Sequence, residues 1–161
     1  MNKTNKKSAL TYMLLAFVPY TRQNLLLSFR PNQFFNELEK TSGHSTTTLR
    51  TTFSRAKKDN LITLDNDQVS LSLKGRQIIQ PFIAQDLNNG EQLMVIFDIP
   101  EDFANLRRKL RILLRQLEFQ QVQQSVWMSD KDHREILAES IKNLQMDDWV
   151  QLYKSARIDI S

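Results

Sequence analysis

The chain contains no cysteine. That absence removes a disulfide framework, a thiolate zinc site and a cysteine nucleophile together. Histidine is nearly as scarce. Only His44 and His133 occur, far apart in sequence, so a histidine-built metal site is not expected. Glycine and proline are sparse too, at 3 and 4 of 161 residues, while 40% of the chain is hydrophobic and 25% charged. This composition excludes a low-complexity or largely disordered chain and fits a globular one. Long apolar runs are missing as well. Ala9 to Tyr20 is too short to span a membrane and is interrupted by Thr11 and Pro19. Lys3, Lys6 and Lys7 ahead of it resemble the opening of a signal peptide, but no small-residue cleavage site follows, and a first helix explains the run. A cytoplasmic protein without a membrane segment is expected.

Acid is the next shortage, and it is local. Residues 1–86 hold 12 lysines and arginines against 6 acids, whereas residues 87–161 hold 10 against 12. All the surplus positive charge therefore lies in the first half, as expected for a polyanion-binding module joined to a separate scaffold. Leu10, Met13, Leu14, Phe17 and Val18 recur at helical spacing behind Ser8, a candidate cap. Leu25–Leu27 is a short apolar run. Pro31 suits the first turn of a second helix with Phe34, Phe35 and Leu38 inside, and Thr41–His44 reads as a turn.

The segment Ser45–Lys58 carries the strongest signal. Leu49, Phe53 and Ala56 form a narrow apolar seam. The other side holds Thr47, Thr51, Ser54, Arg55 and Lys58, with Arg50 on its flank, and no acid occurs from Thr41 through Lys58. Six serines and threonines between Ser45 and Thr52 are a poor choice for helix stability. Short hydroxyls and cations on one face do suit base edges and phosphates. The plain alternative is a solvated face, but such faces mix glutamate with lysine. Thr46, Thr47, Arg50 and Thr51, nearest the helix start, are expected at base edges. Arg55, Lys57 and Lys58 are expected mainly on phosphates, and Ser54 completes the surface. Two strands, Leu61–Leu64 and Val69–Leu73, flank the turn Asp65–Gln68, and Lys74-Gly75-Arg76 closes the hairpin before a short helix at Gln77–Ile83. Helix–turn–helix followed by a hairpin is the winged-helix order. The polar stretch Asp86–Gln92 is the expected boundary, giving a winged helix-turn-helix over 1–86 and a second domain over 91–161.

In the second half, Leu93–Phe97 reads as a strand buried on both faces. A helix follows with Leu106, Leu110, Leu113, Leu114 and Leu117 inside, and Arg107, Arg108, Arg111 and Arg115 outside. Phe119–Gln124 and Ser125–Ser129 read as strands, Asp130–Leu144 as a helix and Trp149–Ile158 as the last strand. The order βαββαβ is ferredoxin-like, so the whole chain is α+β. The arginine face is either solvated, paired with the acids Glu135 and Glu139, or a second phosphate surface. Trp127, Trp149 and the methionines read as packing.

Residues 95–129, VIFDIPEDFANLRRKLRILLRQLEFQQVQQSVWMS, resemble the small CRISPR-associated endonuclease family that partners the spacer integrase, through Asp98, Arg107-Arg108 and Gln124-Ser125-Val126-Trp127. The same module forms the middle of the PaaX repressors behind a winged helix. LRTTFSRAKKDNLI and LSLKGRQ resemble the PaaX helix and the close of its wing. The resemblance implies a dimeric, sequence-specific regulator of transcription on double-stranded DNA, with an endonuclease-like dimerisation domain and a palindromic operator. PaaX proteins continue through a further C-terminal region, so aryl-CoA sensing is not carried over; a small-molecule effector stays open, and no resident cofactor is expected. In the nuclease family the residue matching Asp98 binds metal, and a dimer could hold Mg²⁺ between two such carboxylates. Asp98 can equally cap the turn before Ile99-Pro100. With one carboxylate and no general base visible, catalysis is not expected. The alternative is a Mg²⁺-dependent nuclease or integrase partner carrying a DNA-binding winged helix.

Overall fold

The computed structural model describes residues 7–18, 27, 30–65, 68–88, 90–156 and 158. The chain divides into two compact units, Met1–Ile79 and Gln80–Ser161, and the division falls inside a helix rather than in the polar stretch 86–92.

In the first unit, α1 (Ala9–Leu15) starts at Ser8, whose hydroxyl accepts the Thr11 N–H at 3.1 Å. The apolar run Leu25–Leu27 lies outside the described residues except for Leu27. Helix α2 (Pro31–Ser42) begins with proline at its first position, where the missing N–H costs nothing. It ends at Gly43, whose φ of 68° lets its N–H reach the Glu39 carbonyl at 2.8 Å. Helix α3 (Thr46–Lys58) follows after only Gly43, His44 and Ser45, and the Ser45 hydroxyl caps it on the Thr48 N–H at 3.3 Å. Met13, Leu14, Phe17, Phe34, Leu38, Leu49 and Ala56 close one core across the three helices. Phe17 stacks on Phe34 at 5.8 Å between centroids, and Phe34 meets Phe35 edge-on at 5.1 Å.

Strands β1 (Ile62–Asp65) and β2 (Gln68–Leu71) pair antiparallel, Ile62 opposite Leu71. Of the expected turn Asp65–Gln68, residues 66 and 67 lie outside the described set. Helix α4 (Leu73–Ile83) begins earlier than expected. Leu73 does not extend the strand, nor do Lys74 and Gly75 close the hairpin: the Ser72 hydroxyl accepts the Gly75 N–H at 3.1 Å and turns these residues into a first helical turn.

The second unit contains β3 (Glu91–Phe97), a 3₁₀ turn (Glu101–Phe103), α5 (Ala104–Gln116), β4 (Gln120–Gln123), β5 (Val126–Ser129), α6 (Arg134–Asn143) and β6 (Val150–Ala156). The sheet order is β4-β5-β3-β6, with every pairing antiparallel. The architecture is thus mixed α+β with two antiparallel sheets. Strand β3 is not buried on both faces. Leu93, Val95 and Phe97 are buried, and Met94 and Ile96 between them are half-exposed. Leu110, Leu113 and Leu114 of α5 and Ile136, Leu137 and Ile141 of α6 supply the rest of the core. Two boundaries differ from expectation. Helix α6 starts at Arg134, because Asp86 and Lys131 form a β-bridge and the backbone of Asp130 and Asp132 is bonded to Leu87 and Gln85 instead of to a helix. Trp149 precedes β6 in a turn instead of lying in it, and packs on Phe103 at 4.8 Å. Among the described residues no helix is long and apolar enough to cross a membrane.

Candidate nucleic-acid interface

Helix α3 buries Leu49 and Ala56, with Thr52 and Phe53 half-buried beside them. Thr47, Arg50, Thr51, Ser54, Arg55, Lys57 and Lys58 are all exposed, and Thr46 is half-buried. The hydroxyl-and-cation side therefore faces outward along the whole helix. Its cations sit at the C-terminal end, where Arg55, Lys57 and Lys58 also complement the helix dipole.

The polar groups on this face differ in what they have left to offer. Thr51 donates its hydroxyl hydrogen to the Thr47 carbonyl at 3.0 Å, and Thr52 to the Thr48 carbonyl at 2.8 Å. The Thr51 oxygen is then an acceptor toward anything outside. Arg50 is not a free arm. Its Nη2 donates to Asn32 Oδ1 at 2.7 Å, and its guanidinium lies 4.4 Å from the Phe35 ring centre. Asn32 and Phe35 of α2 thus hold it extended, which lowers the entropy it would lose on meeting a partner. No local pattern links residues eighteen apart, so the role of Asn32 is not legible in the sequence.

A second neighbour was also invisible in sequence. Glu39 of α2 accepts the Thr46 N–H at 3.2 Å. The acid-free stretch therefore has one carboxylate at its start, brought there by the turn and partly offset by the helix N–H groups it meets. His44 is engaged inward, its Nε2 3.3 Å from the Lys7 carbonyl and its ring 6.1 Å from Tyr12.

Asp98 sits exposed just past the end of β3, its backbone N–H donating to the Trp149 carbonyl at 2.9 Å. Among the described residues no group of three histidine, aspartate or glutamate side chains could hold a metal ion. In α5, Arg107 donates to the Ile99 carbonyl at 2.7 Å and Arg111 to the Gln124 carbonyl at 3.3 Å.

Residues 87–161 match the family described as the PaaX protein central Cas2-like domain. No curated protein matches the chain. Among solved structures, an uncharacterized protein from Mycobacterium tuberculosis aligns at 21% identity and a TM-score of 0.36, over 94% of this chain and 62% of its own length. The chain thus spans less than two thirds of that protein. The family match is confined to residues 87–161, just under half of the chain, and the likeness is to that central domain alone.

Proposed function

We propose that this protein is a sequence-specific double-stranded DNA-binding regulator of transcription, a PaaX-like repressor acting as a homodimer on a palindromic operator. One observation carries the reading: the outward, hydroxyl-and-cation face of α3 follows a three-residue turn from α2 and precedes a two-stranded hairpin. This order supports a winged helix-turn-helix, in which a recognition helix enters a major groove. Arg55, Lys57 and Lys58 contact phosphates, while Thr47, Thr51 and the pre-extended Arg50 address base edges, with Thr46 and Ser54 beside them. The sheet order of the second unit supports a ferredoxin-like βαββαβ domain there. Its sheet has a groove of about 540 Å³ bordered by Met94, Val122 and Met128, which suits pairing with a second copy. Two half-sites then lie about 34 Å apart along the duplex.

Binding-site selection with the purified protein, followed by mobility-shift titration at stated salt, tests this. Arg50→Ala should weaken operator binding by about 1–3 kcal/mol and relax sequence preference. Lys58→Ala should weaken all sequences alike and lower the salt slope by about one. Unchanged preference in Arg50→Ala removes Arg50 from the base-reading set. Mg²⁺-dependent cleavage lost in Asp98→Ala would move the protein to the nuclease class.

A further inference from the structure

From Phe103 to Ser129 the sequence holds five cations and one acid, Glu118. That acid is occupied: its carboxylate lies 3.2 Å from Lys131 Nζ. The five cations, Arg107, Arg108, Lys109, Arg111 and Arg115, all belong to α5, and among the described residues none is in an ion pair. Arg107 and Arg111, and Arg111 and Arg115, stand four residues apart, where like charges oppose helix formation. A helix selected only for solubility would interleave glutamates. The pattern accepts a cost in the free protein that a bound polyanion would remove.

Several of these side chains are already positioned. Arg111 lies 5.8 Å from the Phe97 ring centre and Arg115 5.7 Å from that of Trp127. An arginine resting on an aromatic ring loses less freedom when it grips a phosphate. Arg108, Lys109 and Arg115 are exposed. Beside them the β4–β5 hairpin presents Gln121, Gln123 and Gln124, all exposed. The Arg111 bond to the Gln124 carbonyl and the Gln121 amide 3.5 Å from the same carbonyl join hairpin to helix in one surface. Amides and guanidinium groups are the usual donors to nucleic-acid phosphates. A protein partner is less suited. Ile112 is exposed at 50%, and the exposed aromatic at the head of the helix, Phe103, already packs on Trp149 at 4.8 Å rather than standing free as an interface anchor.

We propose that the outer face of α5 and the β4–β5 turn form a second phosphate-contact surface for duplex DNA. The proposal rests on duplex DNA being the partner and stands separately from the role of α3. It predicts affinity without sequence information, because phosphates carry none.

Fluorescence anisotropy of the full chain on a random-sequence duplex, titrated between about 50 and 200 mM salt, tests it. Two triple variants are compared, Arg108→Gln/Lys109→Gln/Arg115→Gln and Arg55→Gln/Lys57→Gln/Lys58→Gln. At about 0.9 per lost phosphate contact, the first should lower the slope of log K against log salt by about two to three. Its preference among selected sequences should stay as in wild type. An unchanged slope in the first variant, with a reduced slope in the second, overturns this proposal and leaves the α3 reading intact. The reverse result upholds it and removes α3 from the interface. Absence of duplex binding by wild type overturns both. Displacement of the duplex by polyglutamate at equal charge concentration would assign the surface to an acidic polypeptide and overturn it too. Should the first triple variant fail to fold, Lys109→Glu alone is read by the same criterion, with a slope lowered by at least about one.

Discussion

Gly75→Ala should lower the melting midpoint by more than about 10 °C. A Cβ built on Gly75 would stand 2.1 Å from the Leu61 carbonyl oxygen and 3.3 Å from Leu71 Cδ2. The nearest obstacle is backbone, and it cannot swing aside. The Leu61 carbonyl accepts the Ser72 N–H at 3.0 Å, and the Leu61 N–H donates to Ala56 at 2.9 Å. One methyl group therefore pushes on the end of α3, the start of the hairpin and the first turn of α4 together. Overpacking of this kind costs about 1–3 kcal/mol or more, and each kcal/mol moves the midpoint of a unit this size by about 4–8 °C. Gly90→Ala is the contrast. Nothing lies within 4 Å of its Cβ position, and only its φ of +70° opposes a side chain, at a cost of about 1–2 kcal/mol. Calorimetry on the two variants separates space from backbone conformation. A Gly75→Ala midpoint within about 2 °C of wild type would refute the close approach.

His133→Leu should raise stability and remove its pH dependence between about pH 7 and 5. The His133 side chain is fully buried, 5.4 Å from the Phe119 ring, and both ring nitrogens lack a hydrogen-bond partner among the described residues. Burial, assisted by the positive charge of Lys131, holds its pKa below the ordinary 6.5, against the opposing pull of Asp132, Glu118 and Asp130. The unfolded chain thus takes up a proton at a higher pH than the folded one. Stability from the neutral ring is present above pH 6.5 and is lost as pH falls below it. Removing an unsatisfied buried polar ring should gain about 1–3 kcal/mol. Leucine keeps a similar volume, and His133 makes no side-chain cap bond that would be lost. Asp132 acts in a lower window. The Arg134 guanidinium, 2.6 Å away, holds its carboxyl down at about 2, so its contribution is present above 3.8 and fades toward pH 2. Melting curves of wild type and His133→Leu from pH 7.5 to 5 decide the matter. Parallel slopes would show that another group titrates.

The elements legible in sequence are those whose period and punctuation agree. Pro31 and Gly43 bracket α2, Ser45 opens α3, and the leucines of α5 fall on one stripe, and each is found in the structure. The misread boundaries share a cause: long-range bonds overrode local pattern. Ser72 drew Leu73–Gly75 into a helix, and the bridge from Asp86 to Lys131 delayed α6 to Arg134. Likewise the outward face of α3 follows from its seam of Leu49, Phe53 and Ala56. The grip of Asn32 on Arg50 and the carboxylate of Glu39 at Thr46 arise only when α2 folds back beside α3.

The edge of the larger sheet has a practical consequence. Strand β4 ends the order β4-β5-β3-β6, its four side chains are exposed, and it carries three glutamines and a valine with no charge. An outer strand with open main-chain donors and acceptors and no lysine to repel a neighbour is a template for another extended chain. The irregularity between Gln121 and Gln123 is its one structural guard. Solubility at high concentration should therefore respond to a single lysine placed at Val122 more than to charge added on any helix.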